Sequence, residues 1–147
     1  MLLLADAPNG NPAAAQATAR VRIVGEQSKR HATRGACERE SRSLVGTHAV
    51  AVSKRFDHKK VFNVVPRYPD LPKDTVGRGG WVGELLVSET GNVVRVWTLR
   101  EPDLTPLFPA FTKAITDAVS RWRFQPVHLN GESVPVCMTV TLTIDWQ

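Results

Sequence analysis

The clearest apolar and polar pattern lies at the C-terminal end of the chain. Val134, Val136, Met138, Val140, Leu142, Ile144 and Trp146 fall on one side of an extended backbone. Pro135, Cys137, Thr139, Thr141, Thr143 and Asp145 fall on the other. A period of two predicts a strand with one buried face. Upstream, Trp81, Gly83, Leu85 and Val87 alternate with Val82, Glu84, Leu86 and Ser88, a strand with both faces partly apolar. Thr90-Gly91-Asn92 supplies a tight turn, and Val93–Arg100 reads as the returning strand of a hairpin. Between the hairpin and the last strand the period changes. Leu107, Phe111, Ala114, Ile115, Ala118 and Trp122 stand three and four apart, which predicts an amphipathic helix over residues 106–123. Thr105 is its expected N-cap, Pro106 its first residue, and Pro126 blocks its continuation.

Chain direction then gives a topology. The helix carries the chain back, so the last strand runs antiparallel to the first strand of the hairpin. The expected fold is α+β. It is a small three-stranded antiparallel sheet in the order second–first–third, with one long helix and at most one short helix on one face. In that order the last strand is an edge, with unpaired N–H and C=O groups that could accept an extended peptide.

The rest of the chain is less patterned. Residues 1–19 lack apolar periodicity and read as disordered, and residues 20–24 as a short extended piece. Residues 27–42 are highly charged and read as coil or at most a polar helix. Residues 47–56 could form a strand, and residues 61–65 are extended. Pro66, Pro69 and Pro72 exclude a regular helix across that stretch. The expected division is therefore a basic, loosely structured segment, 1–60, and a folded domain, 61–147.

Charge sharpens this division. Residues 1–60 hold 11 Lys/Arg against 5 Asp/Glu, a net of +6, whereas residues 61–147 hold 8 against 9, a net of −1. A basic arm of this kind can bind nucleic acid or an anionic surface, which is the alternative functional reading. Cys37 and Cys137 lie in different segments, and their spacing alone does not say whether they pair. No apolar run approaches the ~20 residues of a membrane-spanning helix.

Several short motifs occur in a telling order. These are Pro66-Arg67-Tyr68-Pro69, Gly80-Trp81-Val82-Gly83-Glu84-Leu85 and Glu89-Thr90-Gly91-Asn92-Val93. They are followed by Ala114 and Ala118 ahead of Trp122-Arg123-Phe124-Gln125-Pro126, and by Gly131 with Val134-Pro135-Val136. Together they resemble the C-terminal domain of the TonB family, periplasmic proteins that transmit energy to outer-membrane transporters. The resemblance covers residues 61–147. It implies a non-enzymatic binding module in the periplasm, with no cofactor and no metal, linked to energy-dependent transmembrane transport. Its implied partner is a TonB-dependent outer-membrane transporter, or another protein presenting an extended strand, with a second copy of the chain as a further partner. A short transporter segment, the TonB box, would pair with the last strand. By carry-over the contact residues are Cys137, Met138, Thr139, Val140, Thr141, Leu142, Thr143 and Ile144, with Val65, Arg67 and Tyr68 beside the entry motif. The family's upstream membrane anchor and long Pro-rich linker have no counterpart expected within residues 1–60.

No other chemistry competes. His31, Cys37, His48, His58 and His128 lack the close pairing of zinc sites. Gly77-Arg78-Gly79-Gly80 is not followed by the Lys-Ser/Thr of a phosphate loop. No Gly-x-Ser-x-Gly nucleophile motif is present.

Overall fold

The computed structural model describes residues 21–29, 35–51 and 59–146. Its centre is a sheet of five strands, β1 (Val21–Lys29), β2 (Val50–Ala51), β5 (Trp81–Val87), β6 (Val93–Arg100) and β11 (Val136–Trp146), in the order β1-β11-β5-β6 with β2 also on β11. Three two-stranded ribbons surround it. β3 (Lys60–Phe62) pairs with β8 (Arg123–Phe124), β4 (Val76–Arg78) with β7 (Asp103–Thr105), and β9 (Val127–Leu129) with β10 (Glu132–Val134). Two helices, α1 (Ala36–Val45) and α2 (Pro109–Val119), complete the described fold.

The expected three-stranded sheet with its helices on one face is therefore wrong in three respects. The sheet is wider, because β1 and β2 join it through β11. The last strand is not an edge, because β1 lies antiparallel along it from Val21↔Trp146 to Lys29↔Thr139. Part of the basic N-terminal segment joins the fold, since its described residues supply β1, α1 and β2. Residues 1–20, 30–34 and 52–58, where further parts of those readings fall, lie outside the described residues.

The two faces of the sheet follow from the period of two. Trp81, Leu85 and Val87 of β5 share one face with Val136, Met138, Val140, Leu142 and Ile144 of β11, and this face packs on Phe111, Ile115 and Val119 of α2. Trp122, Phe124, Leu104 and Val127 close the same core. On the opposite face Leu86 and Cys137 pack with Cys37 of α1, and Leu44, Val45, Ala49 and Trp97 surround them. Each face of the sheet thus carries one helix.

α2 is shorter than the stripe of apolar residues predicts. It begins at Pro109 behind the N-cap Phe108 and ends on the C-cap Ser120. Pro109 occupies the first helical position, where its missing N–H costs nothing. Trp122 therefore lies beyond the helix, and Arg123 and Phe124 form strand β8. The last strand is likewise divided, with Pro135 separating β10 from β11. No helix follows Tyr68-Pro69, where Thr75 closes a turn onto the Pro72 carbonyl.

α1, within the stretch read as coil or at most a polar helix, gave a weak signal for a local reason. Its inward positions are Cys37 and Ser41, with half-buried Leu44 and Val45, too little apolar surface to make a stripe. Small side chains instead let the helix approach the sheet closely. Gly46 ends it with φ +81°, a left-handed conformation that glycine adopts without strain.

Candidate functional site

The outer side of β11 is the candidate site, and it is built from both ends of the chain. β5 occupies the inner side of β11 from Val136↔Val87 to Leu142↔Trp81. On the outer side β2 runs parallel to it at Val136 and Cys137, and β1 runs antiparallel from Thr139 to Trp146. The backbone positions expected to receive a partner, Cys137, Thr139, Val140, Thr141, Leu142, Thr143 and Ile144, are all in register with one of these two strands. Met138 lies between the two covered stretches. The β1 pairing slips once, between Ile23 and Gly25. A β-bulge of this sort bends the added strand locally and leaves the ladder intact on both sides.

What holds the cover in place begins at α1. Lys29, at the end of β1, pairs with Thr139. Eight residues later Cys37 is bonded to Cys137, two residues from Thr139, with a Cα–Cα distance of 5.9 Å. Both cysteines are buried. Beside the bridge, the Cys37 backbone N–H donates to Glu84 Oε1 at 3.0 Å. Glu84 is a buried carboxylate on β5, and α1 has no side-chain cap of its own. The sheet therefore caps the helix, placing a negative group at the positive end of the helix dipole. Gly35 must approach this carboxylate so closely that a Cβ there would collide with it. Ser41 completes the attachment. Its hydroxyl accepts the Ala49 N–H at 3.0 Å and donates to the Glu38 carbonyl, which fixes the chain leaving α1 toward β2.

The entry motif sits elsewhere. Tyr68 stacks on Phe111 with ring centroids 4.5 Å apart, and Phe111 in turn meets Trp146 at 5.3 Å. Trp146 Nε1–H donates to the Gly79 carbonyl at 2.7 Å. Tyr68 is thus part of the core, joined to the end of β11 through two rings. Its hydroxyl oxygen is buried without a hydrogen-bond partner, and burial pushes its pKa up from 10.0 to about 12. Val65, at 71% exposure, and Arg67 remain at the surface, while Pro66 between them is buried.

The segment running from Trp122 to Pro126 has a mechanical part in this arrangement. Trp122 Nε1–H donates to the Val64 carbonyl at 3.0 Å, and Lys60 Nζ lies 3.5 Å over the Trp122 ring. The Gln125 N–H donates to the Lys59 carbonyl and the Phe124 N–H to the Gly91 carbonyl. Gly91, at φ +90°, lies so near the Phe124 carbonyl that no side chain fits there. The segment ties residues 59–64, which lead into Pro66-Arg67-Tyr68-Pro69, and the hairpin tip to the end of α2.

Sequence reasoning placed a short extended piece at residues 20–24 without its partner, left the pairing of Cys37 open, and missed Gly35 and Glu84. The signals available were the two cysteines and a single acidic residue inside the apolar run 81–87. Among the described residues no group of three His, Cys, Asp or Glu side chains could hold a metal ion. None of their helices is long and apolar enough to cross a membrane. No protein-family model, curated protein or solved structure matches this chain.

Proposed function

We propose that the protein is a non-enzymatic interaction module that binds an extended segment of another protein by strand addition along β11. The observation that carries this reading is β1 itself. A segment of mixed polar and apolar composition lies antiparallel on β11 from Trp146 to Thr139. Main-chain hydrogen bonds supply affinity in strand addition, so a strand whose outer side accepts one such segment suits another of similar length once that segment is displaced. An incoming strand would take the seat of β1, and the contact residues are those of β11 from Cys137 to Ile144.

The motifs resembling the TonB C-terminal domain give the partner a class. It is an extended segment of an outer-membrane transporter, met in the periplasm, in support of energy-dependent transport. The Cys37–Cys137 bridge supports an oxidising compartment of that kind. Val65 and Arg67, exposed on the entry strap, are further contact candidates. Tyr68 is withdrawn from direct contact by its stacking on Phe111.

The test uses the full chain, labelled for amide NMR and titrated with a synthetic TonB-box peptide. Shifts concentrated in residues 137–144 and 21–29 are expected, because the peptide displaces β1. No shift in either stretch at millimolar peptide would overturn the proposal.

A further inference from the structure

We infer that the Cys37–Cys137 bridge is a covalent latch on this docking edge. Oxidised, it keeps β1 seated on β11; broken by a dithiol, it leaves the outer side of β11 open to an extended strand from another molecule. The inference rests on β11 being a strand acceptor, and adds what controls access to it.

The argument is one of position. The covering strand ends at Lys29 opposite Thr139, and the bridge fastens Cys37 to Cys137, two residues along the same strand. With the bridge closed, the path from Lys29 to Thr139 is the eight residues to Cys37, the bridge, and two residues of β11. With it open, the next fastening is β2, whose Val50 pairs with Val136, so the path lengthens to the twenty-one residues from Lys29 to Val50 and three residues of β11. A short tether raises the effective concentration of β1 at its seat, and lengthening the tether lowers it.

Apart from its own ladder with β11, the cover is fastened through α1 and β2. α1 has no large apolar stripe, and its noncovalent attachments include the Glu84 cap, the Ser41 link, the contacts of Leu44 and Val45 around Leu86 and Trp97, and the short pairing of β2 with β11 that follows it. The core beneath β11 is separate. It lies on the other face of the sheet, against α2, and contains neither cysteine. Opening the bridge therefore loosens the cover while leaving the strand acceptor built.

The chemistry balances with a dithiol as the named reductant. One thiolate of the dithiol attacks a bridge sulfur, forming a mixed disulfide and releasing the other cysteine, which takes a proton. The second thiol of the reductant then displaces the remaining cysteine. The protein gains two thiols and the dithiol leaves as its own disulfide. Because both cysteines are buried at 0% and 5% exposure, the attack proceeds through openings of α1 from the sheet. The latch thus responds to sustained reducing conditions.

The experiment measures binding of a fluorescent peptide with the sequence of residues 21–29. It is applied to the full oxidised chain, the full chain in excess dithiothreitol, and the full Cys37→Ala variant. The reduced chain and the variant should bind about 3- to 4-fold more tightly than the oxidised chain, from the scaling of closure with tether length. Equal affinity in all three would overturn the latch and leave the strand-acceptor reading standing. Binding to none would overturn both. Loss of the folded sheet on reduction, followed by circular dichroism, would also overturn it, since the bridge would then be a staple of the fold.

Discussion

Glu84 and Tyr68 are the two residues whose chemistry departs most from their surroundings, and each makes a prediction. Glu84 stands among the buried apolar side chains of β5 and is there because α1 needs an acceptor at its N-terminus. Glu84→Ala should cost about 1–3 kcal/mol by leaving a buried N–H without its partner. Glu84→Gln keeps an acceptor oxygen and should cost less, and denaturant unfolding of the two variants compares them. Tyr68 is the chain's one tyrosine, so its ionisation can be followed by phenolate absorbance without overlap. It should titrate near pH 12 in the folded protein. Above pH 10 the unfolded chain gives up this proton while the folded chain retains it. The unfolded state then binds fewer protons, and stability falls as pH rises from about 10 to about 12. Tyr68→Phe removes an unpartnered buried hydroxyl and keeps the ring stack on Phe111. It should change stability by under about 1 kcal/mol and abolish that loss at high pH.

At the scale of elements, the connections after α2 carry much of the organisation. Trp122 lies just past the helix, fills the core, donates to Val64 and receives Lys60 over its ring. Trp122→Phe keeps an aromatic in the core and removes the indole N–H. It should cost about 1 kcal/mol from the lost hydrogen bond and speed amide exchange across residues 59–65. Trp122→Ala should cost about 3–5 kcal/mol through the cavity it leaves. The hairpin, the amphipathic stripe of α2 and the strand β11 were legible because each has its own period. The helix boundaries were less so. Pro106 and Pro109 both suit a first helical position, and only the packed structure selects Pro109. β1 was legible only as a short extended piece at residues 20–24, and α1 only as coil or at most a polar helix within residues 27–42. β1 is stabilised by the ladder it forms with β11, which requires no apolar period of its own, and α1 is held by a bridge, a cap and small side chains.

For the whole molecule, the central question is how firmly β1 covers β11. Antiparallel pairing on both sides means that alternate amides of β11 face β5 and β1 in turn. Native-state hydrogen exchange should separate them. Amides facing β5 should exchange only on global unfolding, and those facing β1 should exchange through a smaller opening. Reducing the Cys37–Cys137 bridge should speed the second set far more than the first. A uniform acceleration of both sets would show instead that cover and core open together.

The sequence by itself determined the strand at each side of the hairpin turn, the apolar stripe of α2 and the alternation of β11, because side-chain period is a local property of the backbone. It also carried the ordered motifs that suggest a strand-binding module. Only the tertiary structure decided what lies along β11, because pairing between segments more than a hundred residues apart is specified by main-chain hydrogen bonds and register, which no local pattern records. The same holds for the bridge and for Glu84. Both cysteines and the acidic residue are plain in the sequence, but their meaning depends on α1 lying against the far face of the sheet. The edge that the sequence leaves bare is, in the folded chain, a seat already taken by β1.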